Sequence, residues 1–191
     1  MNLLKRILSI KKLEFLLPKK NKILFIGNHN VDLFEKNILK NCHTICELNS
    51  INIWVFILSL FRKYSDKLII NYYINFIKFT EPKLVITFVD NYHYFYLLKN
   101  FFIKEIFISI QNGWRGSKED FFDRDLLKKF KELKSDYILT YNDVIGKKFA
   151  KNVDCKNITI GSFRSNLFKI NKPSKVNSLA FISSFRKKEV S

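Results

Sequence analysis

Short apolar runs alternate with longer amphipathic segments along most of the chain. The apolar runs predict strands at residues 22–27, 43–48, 84–89, 105–110, 137–141 and 158–160. The segments between them predict helices near residues 31–39, 53–63, 67–79, 92–102, 122–133 and 143–151. Continuous apolar strands that alternate with helices are typical of a parallel sheet covered on both faces. The pattern therefore predicts an α/β fold, a Rossmann-like doubly wound parallel sheet over residues 21–168.

Residues 1–20 form a predicted basic amphipathic helix. Its apolar residues at positions 3, 7, 10, 13 and 17 share one helical face, and Lys5, Lys11 and Lys12 lie off that face. Such a helix either lies in the interface of an anionic bilayer or packs on the domain as an ordinary helix. The two lysines at 11 and 12 also interrupt the apolar stretch that a secretory signal would need.

Two further segments bear on the organisation of the chain. The longest apolar run, at 51–61, covers about 11 residues, short of the ~20 that a membrane-spanning helix needs. The helix predicted at 53–63 is apolar nearly all round, so we expect it to be buried. Residues 169–178 are polar and read as a linker, and 179–191 begin with another apolar strand. That strand either joins the sheet at its edge or opens a second domain, because a single strand cannot bury itself.

Polar residues follow several of the predicted strands. They are Gly27 and Asn28, Asp90 and Asn91, Gln111, Asn112 and Gly113, and Gly161 and Ser162. Because ligands of doubly wound sheets bind beyond the carboxyl ends of the strands, we expect these residues to share one edge. The sequence therefore predicts a binding site along that edge.

The net charge indicates the class of partner, and the cysteine content bears on metal binding and on the cellular compartment. The 191 residues include 34 Lys and Arg against 17 Asp and Glu, a net charge of +17, which favours anionic partners. An AT-rich genome, whose codons favour Lys, Asn, Ile and Phe, would also produce this composition. The lysines are dispersed and no RNA-binding signature is present, so we expect no specific nucleic acid. Three cysteines without a second pair predict no zinc site and suit a reducing cytoplasm.

Three stretches carry a family resemblance. They are SDYILTYNDVIGKKFAKNVDCKNITIGSFRSN at 135–166, LVITFVDNYHYFYLL at 84–98 and ISIQNGWRG at 108–116. The first resembles the CDP-glycerol glycerophosphotransferase-like group of GT-B transferases, and the other two are similar to bacterial surface carbohydrate biosynthesis proteins. The resemblance implies a GT-B protein, whose two Rossmann-like domains face a cleft. On this resemblance residues 21–168 are the amino-terminal, acceptor-side domain, and 179–191 begin a carboxyl-terminal donor domain that is largely missing.

The resemblance also implies a reaction and its partners. The donor is a nucleotide-activated sugar or alditol phosphate, the acceptor is a lipid-linked saccharide, and the site is the cytoplasmic face of the membrane, with no cofactor. With the donor domain missing, we expect this chain to bind but not to turn over. Two alternatives stay open: a basic nucleic-acid-binding protein, and a membrane-associated scaffold without catalysis.

The predicted site residues follow the motif of the glycerophosphotransferase relatives, with one departure. The glycerophosphotransferase relatives carry a His-Gly pair after the strand at 105–110, and that His is the expected general base. This chain has Asn112 there, and an amide cannot accept a proton near neutral pH. Asp90 and His93 are therefore the candidate bases, with a helix N-cap as the alternative role of Asp90.

The remaining candidate residues are predicted to bind the substrate rather than to transfer a proton. Asn112 and Gln111 could orient sugar hydroxyls or a phosphate, and Arg115 offers a planar fork for phosphate, the alternative being a solvated loop charge. Gly113 allows backbone to approach a ligand, or serves turn geometry alone. A second predicted phosphate site consists of Gly161, Ser162, Arg164 and Asn166, which otherwise only fold the connection.

Overall fold

A computed structural model describes residues 12–37, 43–47, 49–115, 121–122, 128, 130 and 132–166 of the chain. Within these residues the strands are β1 (Lys12–Glu14), β2 (Ile23–Ile26), β3 (His43–Cys46), β4 (Ser50–Asn52), β5 (Leu84–Thr87), β6 (Ile106–Ile110), β7 (Lys134–Thr140) and β8 (Asp154–Thr159). The helices are α1 (Val31–Asn37), α2 (Ile53–Phe61), α3 (Leu68–Thr80), α4 (His93–Leu98), α5 (Asp143–Ala150) and α6 (Phe163–Asn166), and a 3₁₀ turn, Lys99–Phe101, follows α4.

Six of these strands form one parallel sheet in the order β3-β2-β5-β6-β7-β8. The register places Ile23 of β2 opposite both His43 of β3 and Leu84 of β5, all running in the same direction. The chain leaves β2 toward β3 on one side and later returns to β5 on the other side. This reversal is the topological switch point of a doubly wound sheet, where crevices for ligands form. The predicted Rossmann-like α/β fold is therefore confirmed.

Apolar side chains cover both faces of the sheet because successive residues of a strand point to opposite faces. In β2, Leu24 and Ile26 join the larger core, which α3, α4 and α5 cover. Phe25 between them joins a smaller core with Val31 of α1. The continuous apolar runs of the sequence thus reflect strands that are buried on both sides.

Helix α3 is the most deeply buried helix of the larger core, and it carries two buried asparagines. The Asn71 side-chain oxygen accepts the backbone N–H groups of Tyr64 and Ser65, at 2.8 Å each. The Asn75 amide donates to the Ser59 hydroxyl at 3.2 Å. Because buried polar groups need partners, these bonds fix the turn between α2 and α3 and hold α2 against α3.

Two sequence predictions at the amino-terminal side need correction, and two strands there were not predicted. Residues 12–14 form strand β1 and residues 15–20 have no helical structure, so the predicted helix at 1–20 is wrong for this part, and residues 1–11 lie outside the described residues. Strand β1 pairs in parallel with β4, and neither strand was predicted. Helix α2 is not buried all round, since Val55 and Ser59 are buried while Trp54, Ile57, Leu60 and Phe61 are exposed.

Other predictions fall partly outside the described residues. The helix predicted at 122–133 is one of these, and the described residues 132 and 133 at its end are not helical. The linker at 169–178 and the strand that begins 179–191 lie outside as well. Among the residues that are described, no helix is long and apolar enough to cross a membrane.

Candidate functional site

The carboxyl ends of the six parallel strands meet along one edge of the sheet, which we call the rim. The segments that follow β2, β5, β6 and β8 contain the residues predicted to bind ligand. The expectation that these strand ends share one edge is therefore confirmed. Whether the residues bind a ligand remains a prediction.

Asp90 lies at the centre of the rim, just after β5, and its side chain is fully buried. Its carboxylate accepts hydrogen bonds from Arg115 Nε to Oδ2 at 2.6 Å and from the Arg115 terminal nitrogen to Oδ1 at 2.5 Å. The backbone N–H of Asn112 also donates to Oδ1, at 3.2 Å. Side-on pairing of a guanidinium with a carboxylate is a strong and directional interaction, and it fixes the loop after β6 to the loop after β5.

Buried hydroxyl groups support Asp90 from beneath. The Tyr96 hydroxyl donates to the Asp90 backbone carbonyl at 2.7 Å and lies 2.9 Å from the Ser109 hydroxyl. Burial, and to a smaller extent the Asp90 charge, raise the pKa of Tyr96 well above 10. The hydroxyl therefore stays protonated and keeps its role as a donor. Neither residue was predicted from the sequence, because nothing in a strand or helix pattern marks a buried hydroxyl as a support.

The alternative role of Asp90, a helix N-cap, is wrong. The N-cap of α4 is Tyr92, whose side chain makes no capping hydrogen bond. Asp90 lies two residues earlier, and its carboxylate is taken up by Arg115 and by the backbone of Asn112. In this arrangement the carboxylate positions Arg115. Its use as a general base stays a prediction that requires Arg115 to move away.

His93, the other candidate base, begins α4. Its imidazole stacks between the rings of Phe121 and Phe130, with centroid distances of 4.8 and 4.6 Å. This packing places the ring in an aromatic cluster beside the larger core. The proposed catalytic role of His93 stays a prediction.

A second link crosses the switch point itself. Asn30, in the loop after β2, donates from its side-chain amide to the side-chain oxygen of Asn112 at 2.6 Å. Asn30 has a left-handed backbone with φ of 55°, a conformation that asparagine tolerates better than most residues. Asn30 was not among the residues predicted from the sequence, although its position three residues after Gly27 places it in the same loop at the end of β2. Gly27 itself is buried with φ of 88°, and Asn28 is exposed.

Gln111 connects the ends of β6 and β7. Its buried side chain accepts the backbone N–H of Tyr141 at 2.8 Å and donates to the Gly113 carbonyl, also at 2.8 Å. Both ends of the amide therefore have partners within the protein. The next residues are open: Asn112 is exposed, a side chain at Gly113 would meet nothing within 4 Å, and the Trp114 indole is 80% exposed.

The predicted phosphate site after β8 is adjacent to the switch point. Gly161 has φ of 72°, and the Ser162 hydroxyl accepts the Ser165 backbone N–H at 3.2 Å as α6 begins. The Phe163 ring packs on Phe88 after β5, at 5.2 Å between centroids. The turn thus brings α6 back over the middle of the rim. Arg164 is exposed there, and α6 ends at Asn166, whose side chain is not described.

The rim therefore contains a rigid, internally paired centre and an exposed polar surface. The centre is Asp90, Arg115 and Gln111, and the exposed surface is Asn28, Asn91, Asn112, Trp114 and Arg164. Amides both donate and accept hydrogen bonds, and a flat indole stacks on apolar faces, which together suit polyhydroxylated ligands. In the described part of the chain, no group of three His, Cys, Asp or Glu side chains is placed to hold a metal ion.

A Rossmann-like α/β domain with a polar rim at its switch point is the class that the fold and the site define. A family model described as "putative O-antigen biosynthesis protein" matches residues 108–191, which is less than half of the chain. The match covers the end of β6, Arg115, β7, α5, β8 and α6, and it links the chain to surface polysaccharide biosynthesis. The curated proteins and the solved structures gave no match to the chain.

Proposed function

We propose that this chain is the acceptor-side Rossmann-like domain of a GT-B-type transferase that acts in O-antigen or related surface polysaccharide biosynthesis. The observation that carries the proposal is the rim at the switch point, where Asn112, Trp114 and Arg115 lie together after β6. The match to an O-antigen biosynthesis family begins within that same strand. The GT-B assignment itself rests on the resemblance of residues 84–98, 108–116 and 135–166.

The chemistry of the rim favours binding of a phosphorylated saccharide. Exposed amides at Asn28, Asn91 and Asn112 offer paired donors and acceptors for sugar hydroxyls. Trp114 exposes a flat ring beside them, on which the apolar face of a sugar can stack. Arg115 is held in a fixed direction by Asp90, so its guanidinium is preorganised next to that surface.

The described arrangement supports binding more than proton transfer. The Asp90 carboxylate is fully buried and accepts three N–H groups. A general base must instead reach the proton that it removes from the substrate. We therefore propose that this domain positions the lipid-linked saccharide acceptor, and that a nucleotide-activated sugar or alditol phosphate is the donor.

Complementation in the bacterium that carries the gene tests the role. Deletion of the gene is expected to shorten or remove the O-antigen bands of its lipopolysaccharide on a gel. The wild-type gene and an Asn152→Ala control restore the bands, whereas Asn112→Ala restores them only in part. Asn152 is also an exposed asparagine, but it follows α5 at the opposite, amino-terminal edge of the sheet. Unchanged bands in the deletion strain would refute the proposed role.

Binding by the purified full chain tests the site. Calorimetry with N-acetylglucosamine 1-phosphate as a soluble probe is expected to show saturable binding. Asn112→Ala weakens it about fivefold to tenfold, the value of one neutral hydrogen bond, and Asn152→Ala leaves it unchanged. Equal affinities for the two variants would remove Asn112 from the site.

A further inference from the structure

Two neighbouring segments expose large apolar side chains on the same side of the molecule. One is β1 with the chain that follows it, and the other is the outer face of α2. Their exposed members, which we call the α2 apolar surface, are Leu13, Phe15, Leu16 and Leu17 together with Trp54, Ile57, Leu60 and Phe61. Leu16 is 86% exposed and Phe61 is 81% exposed. Contiguous apolar surface of this kind marks an interaction site rather than ordinary surface.

Side-chain hydrogen bonds tie the two segments into one unit. The Trp54 indole N–H donates to the Phe15 carbonyl at 2.7 Å, and the Asn52 amide donates to the Leu16 carbonyl at 2.6 Å. The Asn52 oxygen also accepts the Val55 N–H and so caps the start of α2. The irregular chain at 15–17 is thus held against the first turn of α2 by specific bonds.

The same bonds reduce the cost of moving this surface into an apolar phase. An unpaired carbonyl or indole N–H in lipid is unfavourable because no water is there to bond it. The carbonyls of Phe15 and Leu16 and the Trp54 N–H already have partners within the protein. These three groups therefore need no hydrogen-bond partner from the lipid.

The exposed stripe of α2 is separate from its packing face. Trp54, Ile57, Leu60 and Phe61 lie within an arc of about 120° at 100° per residue. Ser59, on the buried face, bonds to Asn75 of α3 instead. The stripe therefore does not serve the contact with α3.

Basic residues follow both apolar segments directly. Lys19 and Lys20 come after Leu17 and Pro18, and Arg62 and Lys63 come after Phe61; all four are exposed, and Lys20 also pairs with Glu81 at 2.8 Å. We propose that the α2 apolar surface docks on an anionic lipid bilayer, with the apolar side chains in the interface and these cations at the phosphate level. Aromatic residues beside lysine and arginine are the side chains that favour this boundary.

Charge also argues against a second copy of the chain as the occupant. Two copies meeting at this surface would bring Lys19, Arg62 and Lys63 of both copies together, in a chain of net charge +17. Like charges facing each other across an interface oppose association, whereas an anionic bilayer neutralises them. This docking surface differs from the amphipathic helix predicted at 1–20, and it does not depend on the proposed transferase role.

Vesicle sedimentation of the full chain tests the proposal. Vesicles of equal parts phosphatidylglycerol and phosphatidylcholine are expected to bind the wild type, and vesicles of phosphatidylcholine alone to bind it at least tenfold less. Leu16→Ser with Phe61→Ser is expected to weaken anionic binding by roughly two orders of magnitude, because two large apolar contacts are lost. The matched control, Ile103→Ser with Val144→Ser, alters two exposed apolar residues elsewhere and leaves binding unchanged.

Fluorescence gives a local readout that does not depend on sedimentation. The chain has two tryptophans, so Trp114→Phe leaves Trp54 as the single indole. Its emission is expected to shift to the blue when anionic vesicles are added, as the ring leaves water. Circular dichroism checks that each variant keeps the fold.

Four results would overturn the proposal. They are equal binding to neutral and anionic vesicles, unchanged binding by the folded Leu16→Ser and Phe61→Ser variant, absence of the Trp54 shift, and concentration-dependent dimerisation that the same double substitution abolishes without any vesicle binding. The third places the bound surface elsewhere, and the last assigns it to a second copy of the chain.

Discussion

Arg115 meets the fully buried carboxylate of Asp90 side-on, with its Nε and one terminal nitrogen 2.6 and 2.5 Å from the two oxygens. The Arg115 side chain is only 12% exposed. From the sequence we expected Arg115 to be a phosphate clamp or a solvated loop charge. The structure instead makes it the partner of a buried charge, so one edge of its fork is already occupied.

Removing Arg115 should therefore destabilise the fold as well as the site. Arg115→Ala leaves the Asp90 carboxylate buried without its counter-charge, and we expect the free energy of unfolding to fall by about 3 kcal/mol. Urea unfolding followed by circular dichroism measures this change. A loss of affinity in this variant would consequently not identify Arg115 as a ligand contact.

The double variant separates pairing from other effects. Asp90→Ala combined with Arg115→Ala should cost less than the sum of the single variants, because neither charge is then left unpaired. The matched control is Arg62→Ala, an exposed arginine after α2, which should change stability by less than about 0.5 kcal/mol. Additive costs of the two single variants would show that the pair contributes no coupling.

Gly146 in α5 tests the contact between that helix and β8. A Cβ at Gly146 would collide with the side-chain amide of Asn157, whose oxygen accepts the Thr140 hydroxyl at 2.8 Å. Gly146→Ala should lower the free energy of unfolding by about 1 kcal/mol or more, despite the helix propensity that alanine adds. Thermal or urea unfolding measures it.

Asn157→Ala removes the side-chain amide with which the added Cβ at Gly146 would collide. In that background Gly146→Ala should become neutral or stabilising, since the amide is gone and the propensity gain remains. A cost that persists in the double variant would mean that the collision is not with Asn157.

The inner strands of the sheet could be predicted from the sequence because they are buried on both faces and form unbroken apolar runs. Edge strand β8, Asp154–Thr159, is mostly exposed and mixes polar with apolar residues, so the sequence predicted only a strand at 158–160. Strands β1 and β4 were missed because each has three residues and their pairing partner is distant in the chain. Helix α2 was predicted as buried because hydrophobicity alone cannot distinguish a core helix from one that presents an apolar stripe outward. The exposed Phe61 and Trp54 are the residues that show the difference.

The position of the site could be predicted from the sequence, but the hydrogen bonds between its residues could not. Strand ends of a parallel sheet must share an edge, so the rim followed from topology. The bond between Asp90 and Arg115 joins residues 25 positions apart, and only the register of β5 against β6 brings them together. The aromatic stacking of His93 likewise depends on Phe121 and Phe130, which no local pattern connects to it.

Tyr96 predicts a loss of stability in alkali. Burial, and then the Asp90 charge, raise the pKa of its hydroxyl above the usual 10, so the folded state resists ionisation. Its contribution to stability is complete below pH 10 and falls at higher pH, as the unfolded chain releases the proton first. A tyrosine whose pKa is raised in this way lowers the free energy of unfolding by about 1.4 kcal/mol for each pH unit above 10.

The curves of stability against pH for Tyr96→Phe and for the wild type should cross. At neutral pH the variant is less stable by about 1–2 kcal/mol, because the hydrogen bonds to the Asp90 carbonyl and Ser109 are lost. Above pH 10 its stability should fall less steeply than that of the wild type. Urea unfolding at a series of pH values measures both slopes, and parallel curves would contradict the assignment.

Glu81 ends α3 with a left-handed backbone, at φ of 51° and ψ of 48°. Glycine adopts this conformation without a Cβ penalty, so Glu81→Gly should raise the free energy of unfolding by about 0.5–1 kcal/mol. The ion pair with Lys20 that it removes is exposed on both sides and contributes little.

Glu81→Ala serves as the control for that ion pair. It removes the carboxylate but keeps the strained backbone, so its stability should remain within about 0.5 kcal/mol of the wild type. A loss as large as the gain expected from glycine would show that the ion pair, rather than the backbone, governs this position.

The wholly parallel sheet has a consequence for the order in which the chain can fold. Ile23 of β2 pairs with Leu84 of β5, so β2 waits for this partner, which is synthesised some sixty residues later. Until β5 leaves the ribosome, one side of β2 has only an open row of amide and carbonyl groups. Contacts between such distant segments slow the search for the native state and prolong exposure to chaperones and to aggregation.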